Sequence, residues 1–124
     1  MATKAREAGA ENIWLCERGS IFGYNNLVVD MRSLDLMAET GLPVVFDATH
    51  SVQLPGAGGT HSSGERRFVP GSCTCCCCGT NFGRFQGKVH PDPDNALSDG
   101  PNSLKLDNLE PYCRSYKRST GPLK

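Results

Sequence analysis

Two apolar runs that end in polar residues constrain this chain more than any other feature. "NIWLCERG" spans residues 12–19 and "LPVVFDATH" spans 42–50. Each is short, apolar through its middle and charged or polar at its C-terminal end, the pattern of a buried parallel strand. Between them lies "GYNNLVVDMRSLDLMAETG", with Leu27, Val28, Met31, Leu34 and Met37 near helical spacing. Asn25 or Asn26 is positioned to cap that helix and Gly41 to end it. Strand, helix and strand within residues 12–50 make a βαβ unit, whose strands run parallel with a right-handed crossover. "TKAREAGAEN" before it reads as the last turns of a helix, stopped by Gly9 and Asn12.

The remainder is less regular. "SVQLPGAGGTHSSGERR" follows the second strand directly and is too rich in Gly and Ser for regular structure. A loop of that length after a strand reads as an active-site lid rather than a linker. "GSCTCCCCGTNFGRFQGK", residues 71–88, matches neither helical nor strand periodicity. It places five of the chain's seven cysteines within six positions. "VHPDPDNALSDGPNSLKLDNLEP" reads as a further loop, with a helix starting in "LKLDNLEP". No internal repeat stands out.

Charge and hydropathy exclude some classes. Over 124 residues the 13 basic and 13 acidic side chains balance, so nothing electrostatic favours a nucleic acid or an anionic membrane as partner. The N-terminal stretch "MATKAREAGAENIW" has no signal-peptide apolar core. Runs such as "PVVF" fall far short of the ~20 residues that span a bilayer. The expectation is a cytoplasmic protein, and in a reducing compartment its cysteines read as thiols or metal ligands rather than disulfides.

In parallel α/β folds the C-terminal ends of strands carry the chemistry. "CERG", "DATHSVQ" and "VHPDPD" with "SDGPNS" are such ends, which puts Arg18, His50, Gln53, His90 and Asp99 on one face of the sheet. Each has a plainer reading. Arg18 could pair with Glu17 or Asp47, and His50 could be a buried imidazole bonded to backbone. Asp99 before Gly100 is an ordinary turn residue. Cys16 reads as a small buried hydrophobe within its strand. Glu65, Arg66 and Arg67 read as a solvated face at a helix start, a lid role being the alternative, and His61 is assigned nothing.

"LCERGSIFGYNNLVVDMRSL", "PVVFDATHSVQLPG" and "VHPDPDNALSDGPNSL" resemble the 3-deoxy-D-manno-octulosonate 8-phosphate synthase family. The resemblance covers residues 1–70 and 89–111. It implies a (β/α)8 TIM barrel, generally tetrameric, that condenses phosphoenolpyruvate with D-arabinose 5-phosphate and water in lipopolysaccharide synthesis. A whole barrel takes about 250 residues. The resemblance therefore implies that residues 1–124 are the C-terminal part of one, about three β/α units, and that this polypeptide alone is inactive.

By the same resemblance, Arg18 holds the phosphoenolpyruvate phosphate through its guanidinium fork, and Gln53 is a further substrate-binding position. His50 and Asp99 are the catalytic positions, and they are the metal ligands in members that use a divalent ion. Pro101 resembles the metal-independent branch, so no cofactor is expected, with a divalent metal as the alternative. The family carries a Glu just before "VHPDP", where this chain has Lys88, a cation in place of a carboxylate.

The resemblance also accounts for the cysteines. The family has an alanine-rich helix of the type L-A-R-A-A-V-A after "RRFVP". The codons TCT-TGC-ACG-TGC-TGC-TGT-TGC encode residues 72–78, and shifted by one base they read Leu-Ala-Arg-Ala-Ala-Val. Residues 71–88 are thus expected to be a frameshifted reading, and 112–124 likewise. The rival reading is a non-catalytic protein, either a Cys-cluster zinc carrier or a truncated subunit docked on a full-length barrel. Zinc needs four ligands, usually two separated pairs. "CTCCCC" has only the lone Cys16 and Cys113 to complete such a set.

Overall fold

A computed structural model describes residues 1–57, 59, 63–77 and 85–120, the side chains of 76, 77 and 115–120 excepted. Helix α1 (Ala2–Glu7) ends at Gly9, whose φ of 88° is the left-handed stop the sequence indicates. Strand β1 (Leu15–Glu17) follows.

Next comes a hairpin rather than a long helix. Strands β2 (Ser20–Gly23) and β3 (Asn26–Val28) pair antiparallel, with Ile21 opposite Leu27. Tyr24 and Asn25 both take positive φ, 52° and 54°, as the two central residues of a tight turn whose twist matches the strands. Leu27 and Val28 therefore belong to a strand, and neither Asn25 nor Asn26 caps a helix. Helix α2 (Arg32–Ala38) starts later, where Asp30 Oδ1 accepts the Arg32 backbone N–H at 3.1 Å. The apolar spacing of Leu34 and Met37 is helical as expected, and Gly41 ends the segment with φ of 73°.

Strand β4 (Val44–Asp47) is buried at all four positions. It lies parallel to β1, in the register Leu15 to Val44 and Glu17 to Phe46. This is the expected βαβ unit, with α2 against both strands. A 3-10 turn (His50–Val52) leads into β5 (Gln53–Leu54), which pairs antiparallel with β6 (Ser63–Gly64). The Gly/Ser-rich loop is thereby closed at its base. His61 lies outside the described residues.

The cysteine-rich segment is not aperiodic coil. A 3-10 turn (Arg66–Phe68) runs into helix α3 (Val69–Cys77), and β7 (Phe85–Gln86) adds to β4 in parallel. Periodicity fails to reveal α3 because it has no continuous apolar stripe. Among its described side chains Val69, fully buried, and the half-buried Cys73 join the core, while Cys75 is exposed. Thr74 Oγ1 donates back to the Pro70 carbonyl at 3.0 Å, satisfying its hydroxyl within the helix.

Strands β8 (Val89–His90) and β9 (Leu104–Lys105) pair parallel, so "LK" is strand rather than helix. A 3-10 turn (Leu106–Asn108) then opens helix α4 (Leu109–Thr120). The main sheet has the order β1-β4-β7. Its core is Leu34, Val44, Phe46, Ala48, Val69 and Leu104, on the side that α2, α3 and α4 cover. Among the described residues no helix is long and apolar enough to cross a membrane.

Candidate functional site

The parallel strands deliver their polar ends to one edge of the sheet. Arg18 follows β1, Asp47 closes β4 with His50 one turn on, and Lys88 lies two residues beyond β7. The Arg18 guanidinium donates from Nη2 to Gln53 Oε1 at 2.9 Å. Neither Glu17 nor Asp47 is its partner. Glu17 instead accepts the Gly19 backbone N–H at 2.6 Å and the Ser33 hydroxyl, tying β1 to the hairpin and to α2.

His50 is held from one side by Asp47. The His50 backbone N–H donates to Asp47 Oδ1 at 3.0 Å, and ring Nδ1 lies 2.7 Å from Asp47 Oδ2. An imidazole N–H donates to a carboxylate, so Nδ1 carries the hydrogen and Nε2 faces outward. Asp47 is only 4% exposed, so this orientation is built into the end of β4. Sequence reasoning gave Asp47 no part here, although its spacing in "DATH" puts it one turn from the ring.

His50 Nε2 lies 3.5 Å from Asp99 Oδ2, which brings two sequence-predicted residues together across 49 positions of chain. Asp99 takes a left-handed φ of 54° ahead of the 3-10 turn Gly100–Asn102, which contains Pro101. Lys88 Nζ ion-pairs the same Asp99 oxygen. The Lys88 ammonium, helped by His50, holds the Asp99 carboxyl below its ordinary value against an opposing effect of burial. Lys88 is fixed by its backbone as well. Its N–H donates to Thr49 Oγ1 at 2.6 Å, and its carbonyl accepts the Leu104 N–H at 2.9 Å.

A divalent ion does not fit this donor set. His50 and Asp99 supply two donors, and the Asp99 oxygen already faces an ammonium. Among the described residues no group of three His, Cys, Asp or Glu side chains gathers in ion-binding geometry.

Two expectations fail locally. Cys16 is exposed rather than buried, because the β1 face it occupies is uncovered. Partial desolvation of its sulfur, then the Asp47 charge, push the thiol up, with Arg18 opposing. His90 is not brought to the others: it sits in β8, where its Nδ1 accepts the Asp92 backbone N–H at 3.0 Å. Arg66 pairs with Asp94 at 2.6 Å and Arg67 with Glu65 at 2.6 Å, at a helix start as expected. Of the cysteine cluster, Cys78 and the side chains of Cys76 and Cys77 lie outside the described residues. Cys73 and Cys113 line an apolar cavity of about 50 Å³ with Phe85, Leu104 and Tyr112, on the helix side of the sheet.

The chain is similar in sequence to known proteins. The chain is 57% identical over 110 residues to a 2-dehydro-3-deoxyphosphooctonate aldolase of Methylococcus capsulatus, an overlap of 89% of this chain and 38% of that protein. It is 57% identical over 109 residues to the protein of the same name in Alkalilimnicola ehrlichii, covering 88% of this chain and 39% of that one. The Legionella pneumophila (strain Lens) protein of that name is 55% identical over 114 residues, 92% of this chain and 41% of its own length. The chain thus spans about two fifths of the length of the curated relatives it matches. Residues 1–121, which include every side chain of the Arg18–Gln53 and Asp47–His50–Asp99–Lys88 contacts, match the DAHP synthetase I family, and the chain belongs to that family.

Proposed function

We propose that this chain is the C-terminal part, about three β/α units, of a (β/α)8 barrel. The whole protein condenses phosphoenolpyruvate with D-arabinose 5-phosphate and water to 3-deoxy-D-manno-octulosonate 8-phosphate and phosphate, in the cytoplasm and as a tetramer. The observation that supports this reading is that Arg18 and His50, just beyond the ends of the parallel strands β1 and β4, meet Gln53 and Asp99 respectively. The name carried by relatives up to 57% identical agrees with it.

In this reading Arg18, oriented by Gln53, offers its remaining N–H donors to the phosphate of phosphoenolpyruvate, which a guanidinium fork matches. His50, oriented by Asp47, presents Nε2 to the reacting groups beside Asp99. Cationic side chains stabilise the charge that develops during condensation. No step is assigned to a metal. The polypeptide alone is inactive, because the β1 edge and the Cys16 face lack the strands that would enclose a substrate.

Residues 71–88 and 112–124 are read as shifted-frame translations, to be checked by sequencing the locus on both strands. Single-base corrections that restore an alanine-rich helix and a Glu before "VHPDP" support that reading, and an intact frame encoding the cysteines removes it.

The test of function is a chimera. Residues 1–70 and 89–111 of this chain replace their counterparts in the Methylococcus capsulatus relative, and phosphate release from phosphoenolpyruvate is followed. Release that depends on D-arabinose 5-phosphate, and falls at least about a hundredfold with Arg18→Ala, is expected. A folded chimera that releases none overturns the assignment.

A further inference from the structure

Asp99, the partner of His50, already holds a cation. Lys88 Nζ contacts Asp99 Oδ2, the oxygen that also lies 3.5 Å from His50 Nε2. The Lys88 backbone is fixed on both sides, by Thr49 and by Leu104, which places its side chain within reach of Asp99. The Asp99 side chain is 23% exposed and that of Lys88 44%, so the pair is partly screened from solvent. Both Asp47 oxygens are occupied by His50, one by its backbone N–H and one by its ring.

We propose that Lys88 is the resident cation of this site: its ammonium occupies the coordination space between His50 and Asp99 and shuts out divalent metal. The residues present therefore do not fit a divalent ion, and Lys88 is the reason. The physical reason is direct. An ion bound to both Nε2 and Oδ2 would sit within a few ångströms of a second positive charge, in surroundings less screening than water. It would also have only two protein ligands, where stable sites usually offer three or more. Glutamate at position 88 would remove the repulsion and add a third donor on a backbone that is already fixed.

Mn²⁺ is the ion to use, since carboxylate and imidazole suit it while the chain's cysteines bind it poorly. Binding is read on the full chain from the loss of the free-ion electron paramagnetic resonance signal, with no turnover required. A failure here thus leaves the proposed reaction standing, and a failure of the chimera leaves this site standing. Lys88→Glu is expected to bind about one Mn²⁺ per chain, at least about tenfold more tightly than the unaltered protein. His50→Ala in the same background should abolish the gain. If Lys88→Glu loses its far-ultraviolet circular dichroism, Lys88→Gln takes its place, with an expected gain of about threefold that again depends on His50. Two results overturn the proposal: His50-dependent Mn²⁺ binding by the unaltered chain, or a folded position-88 variant with no gain.

Discussion

A methyl group at Gly64 would stand 1.4 Å from Asn102 Oδ1, and one at Gly100 would stand 2.4 Å from the Pro93 carbonyl oxygen. Asn102 is 1% exposed and its Oδ1 has no hydrogen-bond partner among the described residues, so it has little room to yield. Both glycines adjoin the turn that carries Asp99. Gly64→Ala and Gly100→Ala are each expected to destabilise the fold by about 1–3 kcal/mol in urea unfolding. Gly71 is the contrast: it sits inside α3 with open space around its Cα, and Gly71→Ala should stabilise by about 0.5–1 kcal/mol. Asp99 adds a pH dependence. Its folded carboxyl is depressed by Lys88, so its contribution to stability is present above the ordinary carboxylate range and lost as pH falls through the folded value. Asp99→Asn should flatten the acid limb of a plot of urea midpoint against pH. An unchanged acid limb would remove the ion pair as a source of stability.

At the scale of the element, the hairpin between β1 and α2 rests on two non-glycine residues at positive φ. A bulky aromatic there is strained, whereas Asn-Gly suits both positions. Replacing Tyr24 and Asn25 by Asn and Gly should raise stability by about 1 kcal/mol, measured as a higher urea midpoint with an unchanged slope. Helix α3 is attached differently: among its described side chains the fully buried apolar anchor is Val69. Val69→Ala should cost about 2 kcal/mol and loosen α3 against α4, visible as faster hydrogen exchange confined to residues 69–77. Uniform exchange across the chain would mean that Cys73 and its neighbours hold the helix without Val69.

The whole molecule leaves apolar surface uncovered. Trp14, Ile21, Phe22 and Tyr24 are 57%, 81%, 79% and 102% exposed, clustered on the hairpin and the entry to β1. In the main sheet β1 has β4 as its one described neighbour, so its other edge presents open backbone groups. Exposed apolar patches and open strand edges promote association. The isolated chain is expected to self-associate in sedimentation velocity, and Ile21→Lys with Phe22→Lys should shift it toward monomer. A monomer that unfolds cooperatively without those changes would show that the surface is tolerated in water.

Much of this architecture was legible in the residues. The strands around Leu15 and Val45, the helix through Leu34 and Met37, the stops at Gly9 and Gly41 and the polar strand ends at Arg18, Asp47 and His50 all follow from spacing along a short stretch of chain. Local pattern misjudged the turn at Tyr24–Asn25, where positive φ outweighs an apparently helical run, and the cysteine-rich helix, which lacks a stripe to betray it. Residue types and spacing determined which groups are available for chemistry. Tertiary structure decided which of them meet, because each meeting joins residues far apart in the chain. Arg18 reaches Gln53 only through the register of β1 on β4. Lys88 reaches Asp99 and Thr49 only because β7 continues that sheet. A side chain's partner depends on where neighbouring strands end relative to one another, and no window of sequence contains that register.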